Sequence, residues 1–185
     1  MRLFVGIPLE AAVIDELSAI SARLRSRQDG LRWAAPESWH ITLQFLGNAS
    51  PEQYLCLAAR LNELRSPPVP IRLDALDFFD RAGIFNASVR LSPELLTLQE
   101  RVVVATAQCG YPAETRPYQP HITLARGKRE GRGEGFRELK NKIPRQPAFT
   151  RFVTEEFLLY ESLLSPSGSR YEVRHRFQLG SHLPI

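Results

Sequence analysis

The tetrapeptide His-Ile-Thr-Leu occurs twice in this chain, opening HITLQFLG at His40 and HITLARG at His121. The whole sequence holds four histidines. For two of them to head the same tetrapeptide by chance has a probability of roughly one in a thousand at average residue usage. The fold must therefore accommodate one short element twice. Both copies alternate apolar and polar residues, the period of a strand with one face on a core. In the first copy Ile41, Leu43 and Phe45 are expected to point one way and His40, Thr42 and Gln44 the other. In the second, Ile122 and Leu124 point inward, with His121 and Thr123 on the opposite face.

The surrounding elements also recur. A strand over Arg2–Ile7 precedes a helix over about Leu9–Arg25, whose Val13, Ile14, Leu17, Ile20 and Leu24 follow helical spacing. After the first motif, "SPEQ" starts a helix, with Ser50 as N-cap and Pro51 in the first turn. Strands are predicted over Val69–Phe79 and Ile84–Leu91. The start signal returns as "SPEL" at Ser92, opening a helix that stops at Gly110 before Pro112. A short helix near Gly135–Lys142 and strands over Phe152–Leu163 and Tyr171–Leu179 complete the chain. The order strand, helix, strand, helix, strand thus appears about twice. It predicts an α+β fold of bilobal, pseudo-symmetric form, a duplicated β-α-β-α-β unit with antiparallel sheets flanking a central cleft. No low-complexity linker divides the chain, so residues 1–185 are read as a single two-lobed domain.

Composition narrows the function classes. With 185 residues, 43% of them hydrophobic, the chain can bury a substantial core. No apolar run reaches the 18 or so residues of a membrane span. The opening segment is apolar only over Leu3–Ile7 before Glu10, Asp15 and Glu16 intervene, which does not read as a secretory signal. Cys56 and Cys109 lack metal or redox spacing and are read as buried thiols of a cytoplasmic protein. A net charge of +4 suits an anionic partner without proving one. The excess is locally dense in RGKREGRGEG, from Arg126 to Gly135.

On a strand, residues i and i+2 share a face. Each motif therefore sets an imidazole beside a threonine hydroxyl, and two such faces meeting across a cleft give paired imidazoles with hydroxyls between them. That arrangement suits in-line displacement at phosphorus. One imidazole takes a proton from the incoming water while the other protonates the departing oxygen. Thr42 and Thr123 would donate hydrogen bonds to the non-bridging oxygens. The residues alone do not say which histidine is acid and which is base. A single strand histidine is ordinarily a half-buried structural residue, and His is also a zinc ligand. Neither motif offers a second ligand at i+2 or i+4, so no metal and no cofactor are expected.

The paired H-I-T-L motifs resemble the H-x-T-x signature of the two-histidine (2H) phosphoesterases. With RLFVGIPL at Arg2, RPYQPHITLAR at Arg116 and FLLYESLL at Phe157, the chain is similar over nearly its whole length to the RNA 2′,3′-cyclic phosphodiesterases, also called 2′-5′ RNA ligases. The resemblance implies metal-free opening of a 2′,3′-cyclic phosphate to a 2′-phosphomonoester. His40 would be the proton donor, His121 the proton acceptor and Arg126 a phosphate ligand. Strict alternation, however, sends Arg126 to the face opposite His121, unless the strand ends or bends before Gly127.

Lys128, Arg129 and Arg132 would follow an RNA backbone or simply be solvated, and Tyr118 and Phe85 are read as core residues or as platforms for base stacking. His175 is read as half-buried structure, and His182 is assigned nothing. The expected partners are RNA with 2′,3′-cyclic phosphate ends or cyclic nucleotides, met by a monomer, with reverse ligation using the same groups. The alternative class is an RNA-end binding module that holds a phosphate without turning it over.

Overall fold

The computed structural model describes residues 1–26, 29–127, 133–144, 147–165 and 168–180. Its strands are β1 (Arg2–Pro8), β2 (Leu31–Trp33), β3 (His40–Asn48), β4 (Val69–Ile71), β5 (Leu73–Phe79), β6 (Ile84–Val89), β7 (His121–Gly127), β8 (Phe152–Thr154), β9 (Glu156–Ser165) and β10 (Gly168–Gln178). The helices are α1 (Ala11–Leu24), α2 (Pro51–Asn62), α3 (Pro93–Ala107) and α4 (Glu134–Lys142). No helix among the described residues is long and apolar enough to cross a membrane.

Two four-stranded sheets, ordered β10-β9-β1-β3 and β2-β7-β6-β5, carry the molecule. Every strand pair in them is antiparallel. The run β9-β1-β3 in the first sheet matches β5-β6-β7 in the second. In each run the motif strand pairs with the strand that precedes it across a helix, α1 or α3. The halves are also interleaved. β2, which lies between β1 and β3 in sequence, pairs with β7 in the second sheet, while the C-terminal β9 and β10 complete the first. One apolar core runs through both sheets, including Val5, Ile41 and Leu43 from one and Phe85, Ile122 and Leu124 from the other. On its other face the first sheet carries a second, smaller apolar cluster of Phe4, Leu158 and Tyr160.

The helix starts follow their sequence signals. At α2 the Ser50 hydroxyl accepts from the Gln53 backbone N–H, and the Gln53 side chain accepts from the Ser50 N–H, with Pro51 in the first turn. At α3 the Ser92 hydroxyl accepts from the Leu95 N–H. Gly110 follows α3 at φ 89°, a backbone that only glycine adopts without strain.

Several boundaries differ from expectation. The predicted strand over Val69–Phe79 breaks at Arg72, because β4 leaves to pair with β8 in a separate two-stranded sheet. The same pairing splits the strand expected over Phe152–Leu163 at Glu155. β2, at three residues, is too short to carry a periodicity and has no signal in the sequence. The free thiols are a correction. Cys56 on α2 and Cys109 just after α3 form a disulfide, because the packing of these two helices brings their Cα atoms to 5.8 Å.

Candidate active site

His40 opens β3 and His121 opens β7, and both rings are held in the same way. The Nδ1–H of His40 donates to the Ser38 carbonyl at 2.8 Å, and that of His121 donates to the Gln119 carbonyl at 2.8 Å. A carbonyl oxygen only accepts, so each neutral ring carries its proton on Nδ1 and leaves Nε2 as the base. Nε2 of His40 lies 3.1 Å from Thr42 Oγ1. Both histidines and both threonines are half-buried. Gly6 makes room for the first ring. A Cβ there would stand 2.9 Å from the Ile41 carbonyl oxygen and 3.5 Å from Cδ2 of His40.

Both motif strands depart from strict alternation at the same place. In β3, Thr42 pairs with Gly6 and Gln44 with Val5, so Leu43 is an extra residue. In β7, Thr123 pairs with Asn86 and Ala125 with Phe85, so Leu124 is extra. Each bulge falls on the third residue after its histidine, and side chains beyond it change face. This corrects the first motif. Phe45 does not point inward with Ile41 and Leu43 but is 66% exposed, while Gln44 is buried and accepts from the Thr106 hydroxyl. It also removes the difficulty at the second motif. Arg126 pairs with Ile84, which shares a face with Asn86 and Ser88, the partners of Thr123 and His121. The guanidinium therefore springs from the same face as His121 and Thr123.

The two sheets present unlike surfaces around these groups. Beside His40 lie the rings of Phe4 at 4.5 Å, Tyr171 at 5.1 Å and Tyr160 at 5.7 Å. Around His121 the face carries Asn86, Ser88, Arg32 and Arg126, with Phe79 meeting the imidazole edge-on at 4.8 Å. Burial, with the charges of His121 and Arg126 acting in the same sense, pushes the His40 imidazole down to about 4. The Ser38 carbonyl opposes this. His121 is also lowered, chiefly by burial and then by Arg126, against the Gln119 carbonyl. β3 and β7 also pack against each other, which brings the two motif strands together.

Tyr118 is half-buried against the core, and its hydroxyl donates to the Thr42 carbonyl at 2.9 Å. Burial pushes its phenol well above the ordinary value. Phe85 is fully buried, with Trp33 and Phe78 against its ring, which removes it as a stacking platform. His175 is half-buried and stacks on Phe177 at 4.6 Å. Lys128, Arg129, Arg132 and His182 lie outside the described residues. Among the described residues no group of three or more His, Cys, Asp and Glu is arranged to hold a metal ion.

Sequence reasoning missed three features of the site: the Tyr118 tie, the exposure of Phe45, and Asn86. The Asn86 amide is completely buried, and neither its nitrogen nor its oxygen has a hydrogen-bond partner. The shared prefix of the two motifs carried a signal for none of them, since the bulge follows it and the tie spans two segments distant in sequence.

A family model described as the 2′-5′ RNA ligase superfamily matches residues 10–162. A Bacillus subtilis protein named RNA 2′,3′-cyclic phosphodiesterase is 30% identical over 182 residues, covering 95% of each chain. An Escherichia coli protein of the same name is 29% identical over 180 residues, covering 96% of each. Among solved structures, E. coli LigT complexed with 3′-AMP aligns with a TM-score of 0.83 at 28% identity, over 97% of this chain and 98% of that one. TT0787 of Thermus thermophilus aligns with a TM-score of 0.76 at 29% identity, over 98% and 100%.

Proposed function

The chain belongs to the 2′-5′ RNA ligase superfamily, and on that premise we propose that it is an RNA 2′,3′-cyclic phosphodiesterase working by paired imidazole acid and base. The observation that carries this reading is the matched pair of rings. Each is fixed through Nδ1 to a carbonyl and presents Nε2, with Arg126 brought to the face of the second by the bulge. The relatives named as RNA 2′,3′-cyclic phosphodiesterases, and the nucleotide held by E. coli LigT, support it.

In the proposed step, Nε2 of His121 takes a proton from water as the oxygen attacks phosphorus, and the bond from phosphorus to the ribose 3′ oxygen breaks. His40, protonated in the complex, delivers its Nε2 proton to that oxygen. The product is a 2′-phosphomonoester with a free 3′ hydroxyl. Arg126 and the Thr42 and Thr123 hydroxyls hold the non-bridging oxygens, where negative charge accumulates. The anionic substrate also serves the acid. It offsets the Arg126 and His121 charges that help hold the His40 pKa near 4 in the free protein. Joining a cyclic phosphate to a 5′ hydroxyl uses the same groups in reverse, with the hydroxyl in place of water.

The proposed setting is a monomer, forming one two-lobed unit, in the cytoplasm among RNA ends.

The deciding experiment is hydrolysis of nucleoside 2′,3′-cyclic phosphates in EDTA by wild type, His40→Ala and His121→Ala, with the product isomer identified. Release of the 2′-phosphate by wild type, reduced at least about 100-fold by either substitution, is expected. If wild type binds the cyclic phosphate without turning it over, the site is an RNA-end binding module instead.

A further inference from the structure

The second sheet sets two arginines directly opposite each other. Arg32 on β2 pairs with Arg126 on β7, and both side chains are exposed. The residues flanking Arg32 fix its face. Leu31 and Trp33 pack against the core, with the Trp33 ring 5.9 Å from Phe85, so the residue between them points to the cleft. The turn before β2 holds that orientation. Its Asp29 carboxylate accepts from the Leu31 and Ser26 backbone N–H groups at 2.9 and 3.0 Å and from the Trp33 indole N–H at 2.8 Å.

Like charges directly opposite in an antiparallel pair are destabilising. Neither guanidinium makes an ion pair with a described residue. Asp29, the acidic residue of the adjoining turn, is committed to its N–H donors. β2 lies at the edge of its sheet, where any charge discourages pairing with another chain. A glutamate at position 32 would do that and also neutralise Arg126. Edge protection therefore does not account for an arginine.

Substrate charge does. The reacting cyclic phosphodiester carries a single negative charge, which Arg126 and a protonated His40 already exceed. Arg32 is left for a second anion, and in RNA the next anion is the neighbouring phosphodiester of a strand. We propose that Arg32 is a second phosphate site, holding a phosphodiester one nucleotide removed from the reacting phosphorus. The site makes polynucleotide ends, rather than cyclic mononucleotides, the preferred substrate. This rests on the reading in which Arg126 and the two histidines hold the reacting phosphate. The second phosphate has two sources: the nucleotide preceding the cyclic phosphate, or a strand entering with its 5′ hydroxyl. Either contact positions a backbone and reads no sequence.

The test is calorimetric binding to wild type, Arg32→Ala and Arg32→Lys, which needs no turnover. Adenosine 2′-monophosphate carries the reacting phosphate alone. Adenosine 2′,5′-bisphosphate adds the phosphate of the preceding nucleotide, and 2′-5′-linked diadenosine with a terminal 3′-phosphate adds that of an entering strand. At least one of these two-phosphate probes should lose about tenfold in affinity with Arg32→Ala, the low end for a hydrogen bond to a charged group because Arg32 is exposed. The slope of log affinity against log salt for that probe should fall by about 0.7. Affinity for the monophosphate should not move, and Arg32→Lys should keep the salt slope while losing part of the affinity. The probe that responds names the strand. Unchanged affinity of both two-phosphate probes would overturn the proposal. An equal loss on the monophosphate would also overturn it, assigning Arg32 to the reacting phosphate. A wild type that binds in the expected pattern yet hydrolyses no cyclic phosphate would sink the phosphodiesterase reading and leave the second phosphate site standing.

Discussion

The hydroxyl of Tyr118 donates to the carbonyl oxygen of Thr42 across 2.9 Å, joining the segment that delivers His121 to the strand that carries His40. The accepting carbonyl stands immediately before the bulge at Leu43, where the ladder to β1 is interrupted. One side chain from the second motif's approach thus fixes the backbone of the first. Tyr118→Phe keeps the buried ring and removes the bond. A loss of about 1 kcal/mol in unfolding free energy is expected. If the tie sets the spacing of the imidazoles, kcat falls about tenfold with KM little changed; steady-state kinetics and denaturant unfolding on one preparation separate the two effects.

The histidines make both activity and stability depend on pH, in different windows. Unfolded, each imidazole titrates near 6.5; folded, His40 titrates near 4 and His121 is lowered as well. Between those values the unfolded chain binds more protons, so stability is fully present above about pH 6.5 and is lost as pH falls toward 4. For catalysis, kcat/KM reports the free enzyme and kcat the complex. The kcat/KM optimum should therefore lie below about pH 6.5, and the kcat profile should be displaced upward, since bound phosphate raises His40. Calorimetry of 2′-nucleotide binding in buffers of different ionisation enthalpy should show proton uptake between about pH 5 and 7. Coincident profiles and no uptake would mean that the substrate does not charge His40.

Asn86 is a buried amide without a partner, set on β6 between Phe79 on β5 and His121 on β7, whose rings meet 4.8 Å apart. An unpaired buried polar group costs about 1–3 kcal/mol. Asn86→Val keeps a side chain suited to a strand and removes that cost, so unfolding free energy should rise by about 1 kcal/mol. A fall of similar size would show that the amide is satisfied by an enclosed water. Urea unfolding of the two proteins, at matched m-values, decides between these outcomes.

The disulfide joins cysteines 53 residues apart. By chain entropy a loop of that size is worth up to about 4 kcal/mol. Reduction, or Cys56→Ser, should lower the denaturation midpoint by a corresponding amount. Mass analysis after alkylation, with and without reductant, checks the pairing first.

Local rules sufficed for the two motif strands and the helix starts at Ser50 and Ser92, because alternation and capping operate wherever a chain folds. The face of any residue beyond the motifs was not local. An extra residue in a strand is visible only against its partner, so Arg126 and Phe45 acquired their orientation from the register with β6 and β1. Tertiary packing likewise decided the Cys56–Cys109 pairing, the break at Arg72, the burial of Phe85 and the bond from Tyr118 to Thr42. Each depends on segments distant along the chain meeting in space, and no window of sequence contains both halves of such a contact.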